Sequence, residues 1–562
     1  MFVAKANKPL SLQERKECIM ANKNLFQSSA GMAPITDALN EAGGVAYNLS
    51  DKAALAQMVV TGCFNQTFYA DAKTQLDTVL KLANKVPTKF VAQLAVYART
   101  NAYMKDSPAV LAAVLASRDM GMLKSIFATV IDNGKMVRNF CQILRSGVVG
   151  RKSFGTAAKK LVQNWLINRK PEQLFRDIVG NDPSLSDVIK MTHPHPKNKT
   201  QEFMFAYICG RVNIEVKGNT LTATKVYNGK TQTIKSENIP DIVRDFEIFK
   251  AKKLAGKSAG ETPDVPFQML SSLNMGTAEW TEMARNGSWT FTRMNLNNFL
   301  KYDVFKDKKM VDMIADRLSS STEVKKSRVF PYQLLTAFKS VSSEMPTKIT
   351  NALQDAMEIA VGNIPDLDGK KIYVCVDTSG SMQSAVTGDR GGGTTATTCV
   401  DVAGLVASAI LRKNQDTSVI PFDTDVHLVS LNSRDSVMTN AQKLALRGGG
   451  TDCSCALRYL NNIEAKGDVV IFVSDNESWA DRGYGRGTGT HNEFLKFRKR
   501  NPNAVLINID IQPNTYTQTK ESPYIFNIGG FSDQVFEIIA AIAKDRLNKD
   551  WFVTEIEKVK IG

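Results

Sequence analysis

From Lys371 onward short apolar runs alternate with helix-length amphipathic stretches, and this alternation constrains the chain more than any other feature of it. Strands are expected at 371–377, 417–423, 468–474, 503–510 and 524–528. Helices are expected at about 398–413, 436–446, 453–464, 491–500 and 532–546, between or after those strands. Apolar strands separated by helices belong to a parallel sheet covered on both faces, a doubly wound α/β fold whose ligands meet the carboxyl ends of the strands. Small oxygen-bearing side chains collect at such ends: Asp377-Thr378-Ser379-Gly380-Ser381 after the first run, Gly449-Gly450-Thr451-Asp452 further on, and Asp475-Asn476-Glu477-Ser478 after the run 468–474.

Alternation along an extended segment puts Asp377, Ser379 and Ser381 on one side. Together with Thr451 and Asp475 they supply hard oxygens suited to one divalent cation, Mg²⁺ above all, with positions left for water and for a partner's carboxylate. The serines would ligate directly, Thr451 directly or through water, and the two aspartates would hold metal-bound waters. The order D-x-S-x-S, then Thr, then Asp resembles the metal-ion-dependent adhesion site of von Willebrand factor A-like domains, which points to binding and not to turnover. The plain alternative is three polar loops capping helix N-termini. Catalysis is disfavoured. A haloacid dehalogenase-type phosphotransferase needs a second Asp where Ser379 stands, and neither a Walker A loop nor an H-E-x-x-H motif is present. Four unclustered histidines argue against a zinc enzyme.

The chain has 562 residues, 43% hydrophobic and 23% charged, which suggests a globular protein of two or more domains. No run reaches the ~18 apolar residues of a membrane span, and the first residues lack a signal-peptide core. Eight scattered cysteines without a C-x-x-C pair suggest a reduced, cytoplasmic setting. The net charge of +15 is unevenly placed: residues 366–562 carry 22 basic and 24 acidic side chains, whereas 1–365 carry 49 and 32. A basic portion joined to a near-neutral one suggests that the first part meets a polyanion.

Residues 1–365 read mostly as helices, with apolar residues at helical spacing in 88–99, 108–116, 122–131 and 157–167, as in stacked helix pairs, although no sequence period is visible. The stretch 211–234 is an exception. Its alternation, its Thr and Val content and its Gly-Asn and Asn-Gly pairs predict a β insertion. Between Lys135 and Arg176 ten Lys or Arg residues face one acidic residue, Glu172. Arg138, Arg145, Arg151, Lys152, Lys159 and Lys160 are candidates to neutralise phosphates. His193 or His195, in the turn Met191-Thr192-His193-Pro194-His195-Pro196, is a candidate to stack on a base or donate to a phosphate, and Trp165 is expected in the core. Two Gly-rich loops, Thr387–Thr398 and Asp481–Thr490, flank the oxygen-rich segments.

The Gly150-Arg151…Lys159-Lys160…Asn164-Trp165 order and the Val188-Ile189-Lys190-Met191-Thr192-His193-Pro194 turn resemble segments of the TROVE-domain family, the Ro RNA-binding proteins. So do Thr61–Ala70, Thr290–Asn298, Val374–Met382 and Gly449–Cys453. The resemblance implies a HEAT-like helical-repeat ring, residues 1–365, joined to a von Willebrand factor A-like domain, residues 366–562. It implies a non-enzymatic protein that binds small structured noncoding, Y-like RNA on a basic outer face and single-stranded ends of misfolded RNA in a central channel, in RNA quality control, sometimes beside an exoribonuclease. Lys159, Lys160 and His193 fall where that family contacts structured RNA. The alternative reading is a metal-dependent protein-interaction module with incidental basic charge. The insertion and the Gly-rich loops depart from the family pattern.

Overall fold

The computed structural model describes residues 33–61, 64, 70–227, 230–256, 260–363, 367, 369–388, 397–445, 448–480, 486–512, 514–530, 534–543 and 551–561. Its strands are β1 (Ala38–Leu39), β2 (Val45–Asn48), β3 (Asn213–Lys217), β4 (Thr220–Tyr227), β5 (Lys230–Ile234), β6 (Ile372–Asp377), β7 (Thr417–Phe422), β8 (Val469–Ser474), β9 (Val505–Asp510), β10 (Tyr516–Thr517) and β11 (Ile525–Gly529).

The α/β part is the expected doubly wound sheet, in the order β11-β9-β8-β6-β7 with every pairing parallel. Every residue of β6 and β8 is buried, as continuous apolar runs between two helical layers require. The helix Cys399–Lys413 starts from a capping box in which the Thr398 hydroxyl and the Asp401 carboxylate exchange hydrogen bonds with each other's backbone N–H.

Before the sheet, helices follow one another from Asp51–Thr61 to Thr347–Ala360. Each buries a stripe against its neighbours. In Gly134–Ser146 the stripe is Met136, Val137, Phe140, Cys141 and Leu144, at the three-and-four spacing that puts them on one face. Asn133 accepts from the N–H of Met136 at the start of that helix, and Gly147, at φ +87°, ends it in the left-handed region that glycine enters without steric cost. Helix Thr88–Thr100 packs on Asp106–Arg118 and Met120–Val130, and Asp106–Arg118 packs in turn on Gly134–Ser146. This repeating helix-on-helix arrangement is the expected HEAT-like array.

Both ends of the array dock on the α/β part, and this closes the ring. At one end Pro331–Ser340 lies on Cys399–Lys413, with Lys339 Nζ 2.6 Å from Asp401 Oδ2 and the Thr336 and Thr397 hydroxyls 2.5 Å apart. Thr347–Ala360 packs on Val437–Leu444 beside it. At the other end Asp51–Thr61 packs on β11, β2 pairs antiparallel with β10, and Gln57 donates to a carboxylate oxygen of Asp510. The final helix, Trp551–Glu557, lies across Thr88–Thr100, and Lys52 Nζ pairs with Glu557 at 2.6 Å. Strand β2, although it falls within the 1–365 stretch, thus pairs with the α/β part, while Asp51–Thr61 bridges β11 and the helices Ala72–Lys85 and Thr88–Thr100.

The stretch 211–234 forms a separate antiparallel sheet in the order β3-β4-β5, packed on the helix Asp241–Leu254. Lys217 pairs across its tight turn with Thr220, and Gly218 there has φ +63°. Asn228 and Gly229, expected at the second turn, lie outside the described residues.

Candidate functional site

Three packed helices, with the loop before one of them, bring Arg145, Lys152, Lys159, Lys160 and His193 near one another. Leu185–Thr192 packs against both Gly134–Ser146 and Gly155–Asn168. Gln163, one turn beyond Lys159 and Lys160, donates its amide to the Thr192 carbonyl at 2.7 Å and to the His193 carbonyl at 3.3 Å. That bond fixes the His193 turn beside the lysine-bearing helix. His193 itself ends its helix in the left-handed region, φ +51°, and is exposed. Arg145 crosses to the same helix, with Nη1 2.7 Å from Met191 Sδ. The Lys152 stem lies against Gly147, where an added Cβ would come within 3.2 Å of it. Lys152 and Lys160 are exposed, Lys159 is half-buried, and none of the three is ion-paired among the described residues. Lys190 joins the face, exposed and three residues before His193, a helical spacing that would have marked it in the sequence. Asp187 is the acidic residue there, and its carboxylate is bound by the Ser184 hydroxyl and N–H, which hold its pKa below the usual range.

Two of the expected cations turn inward instead. Arg138 is 7% exposed, donates to the Asp177 carbonyl at 2.8 Å and packs against Gly180. Arg151 donates to the carbonyls of Ala116 and Phe154, tying the loop before its helix to the preceding repeat. Trp165 is core as expected: its indole N–H donates to Ile131 O at 2.6 Å, and the Arg169 guanidinium stacks 4.6 Å above its ring.

The oxygen-rich segments also converge. β6 delivers Asp377 beside the end of β8, where Ser474 donates its hydroxyl to Asp377 Oδ2 at 2.5 Å. Asp377 Oδ1 accepts from the Ser379 N–H at 2.9 Å, and the Ser379 and Ser381 hydroxyls lie 3.3 Å apart. Two backbone bonds lace the 378–380 and 448–449 loops together, Gly380 N to Gly449 O and Gly448 N to Thr378 O, and so seat Thr451 beside them. Asp475 is buried, with Oδ1 accepting from the Glu477 N–H at 3.2 Å and Oδ2 without a hydrogen-bond partner. Burial first, and then the neighbouring Asp475 charge, push the Asp377 carboxyl well above the carboxylate range; Asp475 is raised by burial.

The expected divalent-cation cofactor is not supported. Among the described residues no group of three or more His, Cys, Asp or Glu side chains is placed to hold a metal ion. The geometry gives the reason. Both oxygens of Asp377 are engaged by Ser474 and Ser379, and burial drives the carboxyls toward their protonated forms. Hydrogen bonds from Ser474 and Ser379 engage Asp377, and a backbone N–H engages Asp475 Oδ1. The Gly-rich loops are described only in part: 389–396 and 481–485 lie outside the described residues, as do most of 61–70.

Sequence reasoning missed a second layer of this cluster. The Glu477 carboxylate accepts from the Tyr516 hydroxyl on β10 and from the Ala42 N–H at 3.1 Å, and burial pushes its pKa to about 8. Asp510, at the end of β9, accepts from Gln57 and is raised well above the usual range by burial. Its position at a strand end was the available signal; Gln57, 453 positions away, offered none.

A helical-repeat array closed by a von Willebrand factor A-like sheet, with a basic helix face on one part and a D-x-S-x-S strand end on the other, defines a class of ring-shaped two-part proteins. Comparison with known proteins agrees. The profile of the Ro60 vWA domain matches residues 371–543, and that of the TROVE domain matches 251–364. The chain is 20% identical over 514 residues to the RNA-binding protein RO60 of Deinococcus radiodurans, spanning 84% of this chain and 88% of that protein. It is 30% identical over 187 residues to the RNA-binding protein RO60 of Caenorhabditis elegans, 31% of this chain and 28% of that one. Its fold is similar to the crystal structure of the Deinococcus radiodurans RO (RSR) protein, with a TM-score of 0.63 at 16% identity over 89% of this chain and 100% of the other. The chain belongs to the TROVE/Ro60 family. Among the described residues no helix is long and apolar enough to cross a membrane.

Proposed function

We propose that this protein is a non-catalytic RNA-binding scaffold of the Ro type. Structured small noncoding RNA is held on the face formed by Arg145, Lys152, Lys159, Lys160 and His193, and single-stranded ends enter the ring's central channel. The observation that carries the reading is the convergence of unpaired cations from three packed helices on one face, in the part of the chain that holds all the excess positive charge. Lysines on a helix face neutralise phosphates with little regard to sequence, and an exposed imidazole beside them can stack on a base or donate to a phosphate. Arg138 and Arg151 support the face from beneath and do not touch RNA in this reading. The rival, a metal-dependent capture of a partner's carboxylate, has less support, since among the described residues no group of three or more His, Cys, Asp or Glu side chains is placed to hold its cation.

The test uses the full chain, because both ends of the helical array need the α/β part. Lys159→Ala combined with Lys160→Ala lowers affinity for a small stem-loop RNA by at least tenfold in a fluorescence titration, and lowers affinity for an unstructured single strand by less than threefold. Equal losses for both ligands at an unchanged melting temperature would contradict the assignment of separate surfaces.

A further inference from the structure

The helical part carries a cleft whose charge is opposite to the net charge of that part of the chain. The cleft, about 880 Å³, lies between the helices Asp241–Leu254 and Thr277–Asn286 and is walled by the segment Glu261–Phe267. Its floor is apolar: Leu270 and Met283 are buried, and Ile248, Phe267 and Phe291 are half-buried, with the two phenylalanine rings 5.8 Å apart. Among the described residues its rim carries Asp245, Glu261, Asp264 and Glu282 against one cation, Arg176.

The segment that walls the cleft is held in place. Thr262 gives its N–H and its hydroxyl to Glu282 Oε2 at 2.9 and 2.7 Å, and Arg176 binds both the carbonyl and the carboxylate of Asp264, at 2.8 and 2.7 Å. The cleft is thus a built feature and not a loose loop. Arg176 is spent on Asp264, whereas Asp245, Glu261 and Glu282 meet no Lys or Arg at ion-pair distance among the described residues. Asp245 and Glu261 are exposed. A rim left with three uncompensated carboxylates repels RNA, in a half of the chain where basic residues outnumber acidic ones by 49 to 32.

We propose that this cleft docks a basic protein segment: one or two apolar side chains seated on the Ile248, Phe267, Met283 and Phe291 floor, flanked by Lys or Arg facing the carboxylates. Charge complementarity selects this occupant, since an apolar floor within an acidic rim favours a cationic, partly apolar peptide and disfavours nucleic acid. Partner and RNA then occupy the same ring at once, the one at an acidic cleft and the other at a basic face. The inference does not depend on the RNA reading.

The probe is a fluorescein-labelled decapeptide with a central Leu-Phe pair and four Lys or Arg residues on each side, titrated into the full chain after nuclease treatment and a high-salt wash. Binding is expected to weaken as salt rises. Asp245→Lys combined with Glu261→Lys, at two exposed positions, should lower peptide affinity at least tenfold, leave the melting temperature within about 2 °C and leave small stem-loop RNA affinity within twofold. A peptide with Ser-Ser in place of Leu-Phe should bind at least fivefold more weakly to the unaltered protein. Equal affinity of the charge-reversed protein and the unaltered one would overturn the site. So would equal affinity of the two peptides, which would reduce the interaction to surface charge without the floor.

Discussion

The basic face of the helical part and the carboxylate cluster of the α/β part are both dense in ionisable groups, and they use them in opposite ways. On the face Lys152 and Lys160 stand in water, unpaired, where their charge costs little and stays available to a ligand. In the cluster Asp377, Asp475 and Asp510 are buried, their ionised forms are disfavoured, and hydroxyl, amide and backbone donors hold them in place. A charge pattern in a sequence therefore says little until burial is known. The same residue types act as a binding surface in one half and as structural joints in the other.

The contrast runs even within the basic stretch, and the largest expected effect lies there. Arg138→Met removes a buried guanidinium that holds the Asp177 carbonyl, and should cost about 3 kcal/mol of stability in a denaturant titration. Any loss of RNA binding in that variant should follow the fraction unfolded. If Arg138→Met kept its stability and lost RNA, Arg138 would belong with the surface and the division drawn here would fail.

His491 sharpens the comparison through pH. It is buried beside the Tyr47 ring, accepts from the Lys520 N–H at Nδ1, and has its pKa lowered to about 4 by burial. The unfolded chain binds the proton near the ordinary value of about 6.5 while the folded chain stays neutral to about 4. The stability contribution is therefore fully present above pH ~6.5 and is lost as pH falls from there toward 4. Up to roughly 3 kcal/mol is at stake in that window. His491→Gln keeps an acceptor for Lys520 and should remove the acid-side loss between those limits, leaving the opposite slope set by Glu477, whose folded-state pKa of about 8 makes stability fall as pH rises. An unchanged profile would place the acid-sensitive group elsewhere.

Ring closure gives a smaller effect. Gln57→Ala removes a donor from the buried Asp510 carboxylate, so the chain should lose about 2 kcal/mol. The loss should appear as earlier melting of the joint between Asp51–Thr61 and β11, read by hydrogen exchange in those two elements. Uniform destabilisation of every element would show instead that the ring unfolds as one unit. The smallest effect belongs to the exposed face: Lys152→Ala should change stability by no more than about 0.5 kcal/mol.

The α/β strands were legible because β6 and β8 are unbroken apolar runs that stop at Asp or Ser, a signal local in sequence. The insertion was legible for the same reason, from alternation and Gly-containing turns. The joining of β2 to β10 was not, because four and two residues of strand, 468 positions apart at Asn48 and Tyr516, leave no periodic trace. The metal was misread for a related reason. Spacing shows which oxygens meet, but not that the Ser474 hydroxyl and the Ser379 N–H already occupy Asp377, nor that burial favours its protonated form. Arg138 and Lys159 look alike as letters; what separates them is that Arg138 sits within the buried stripe from Met136 to Leu144.

The central claim is that exposed, unpaired cations on one helical face bind RNA. It is tested most directly by the salt dependence of stem-loop RNA affinity for the full chain, with and without Lys159→Ala and Lys160→Ala. Each phosphate contact contributes a slope of about 0.9 in log affinity against log salt on a duplex, so the double variant should show a slope shallower by nearly 2, with an unchanged melting temperature. Identical slopes for the two proteins, or an affinity that does not change with salt, would contradict the account.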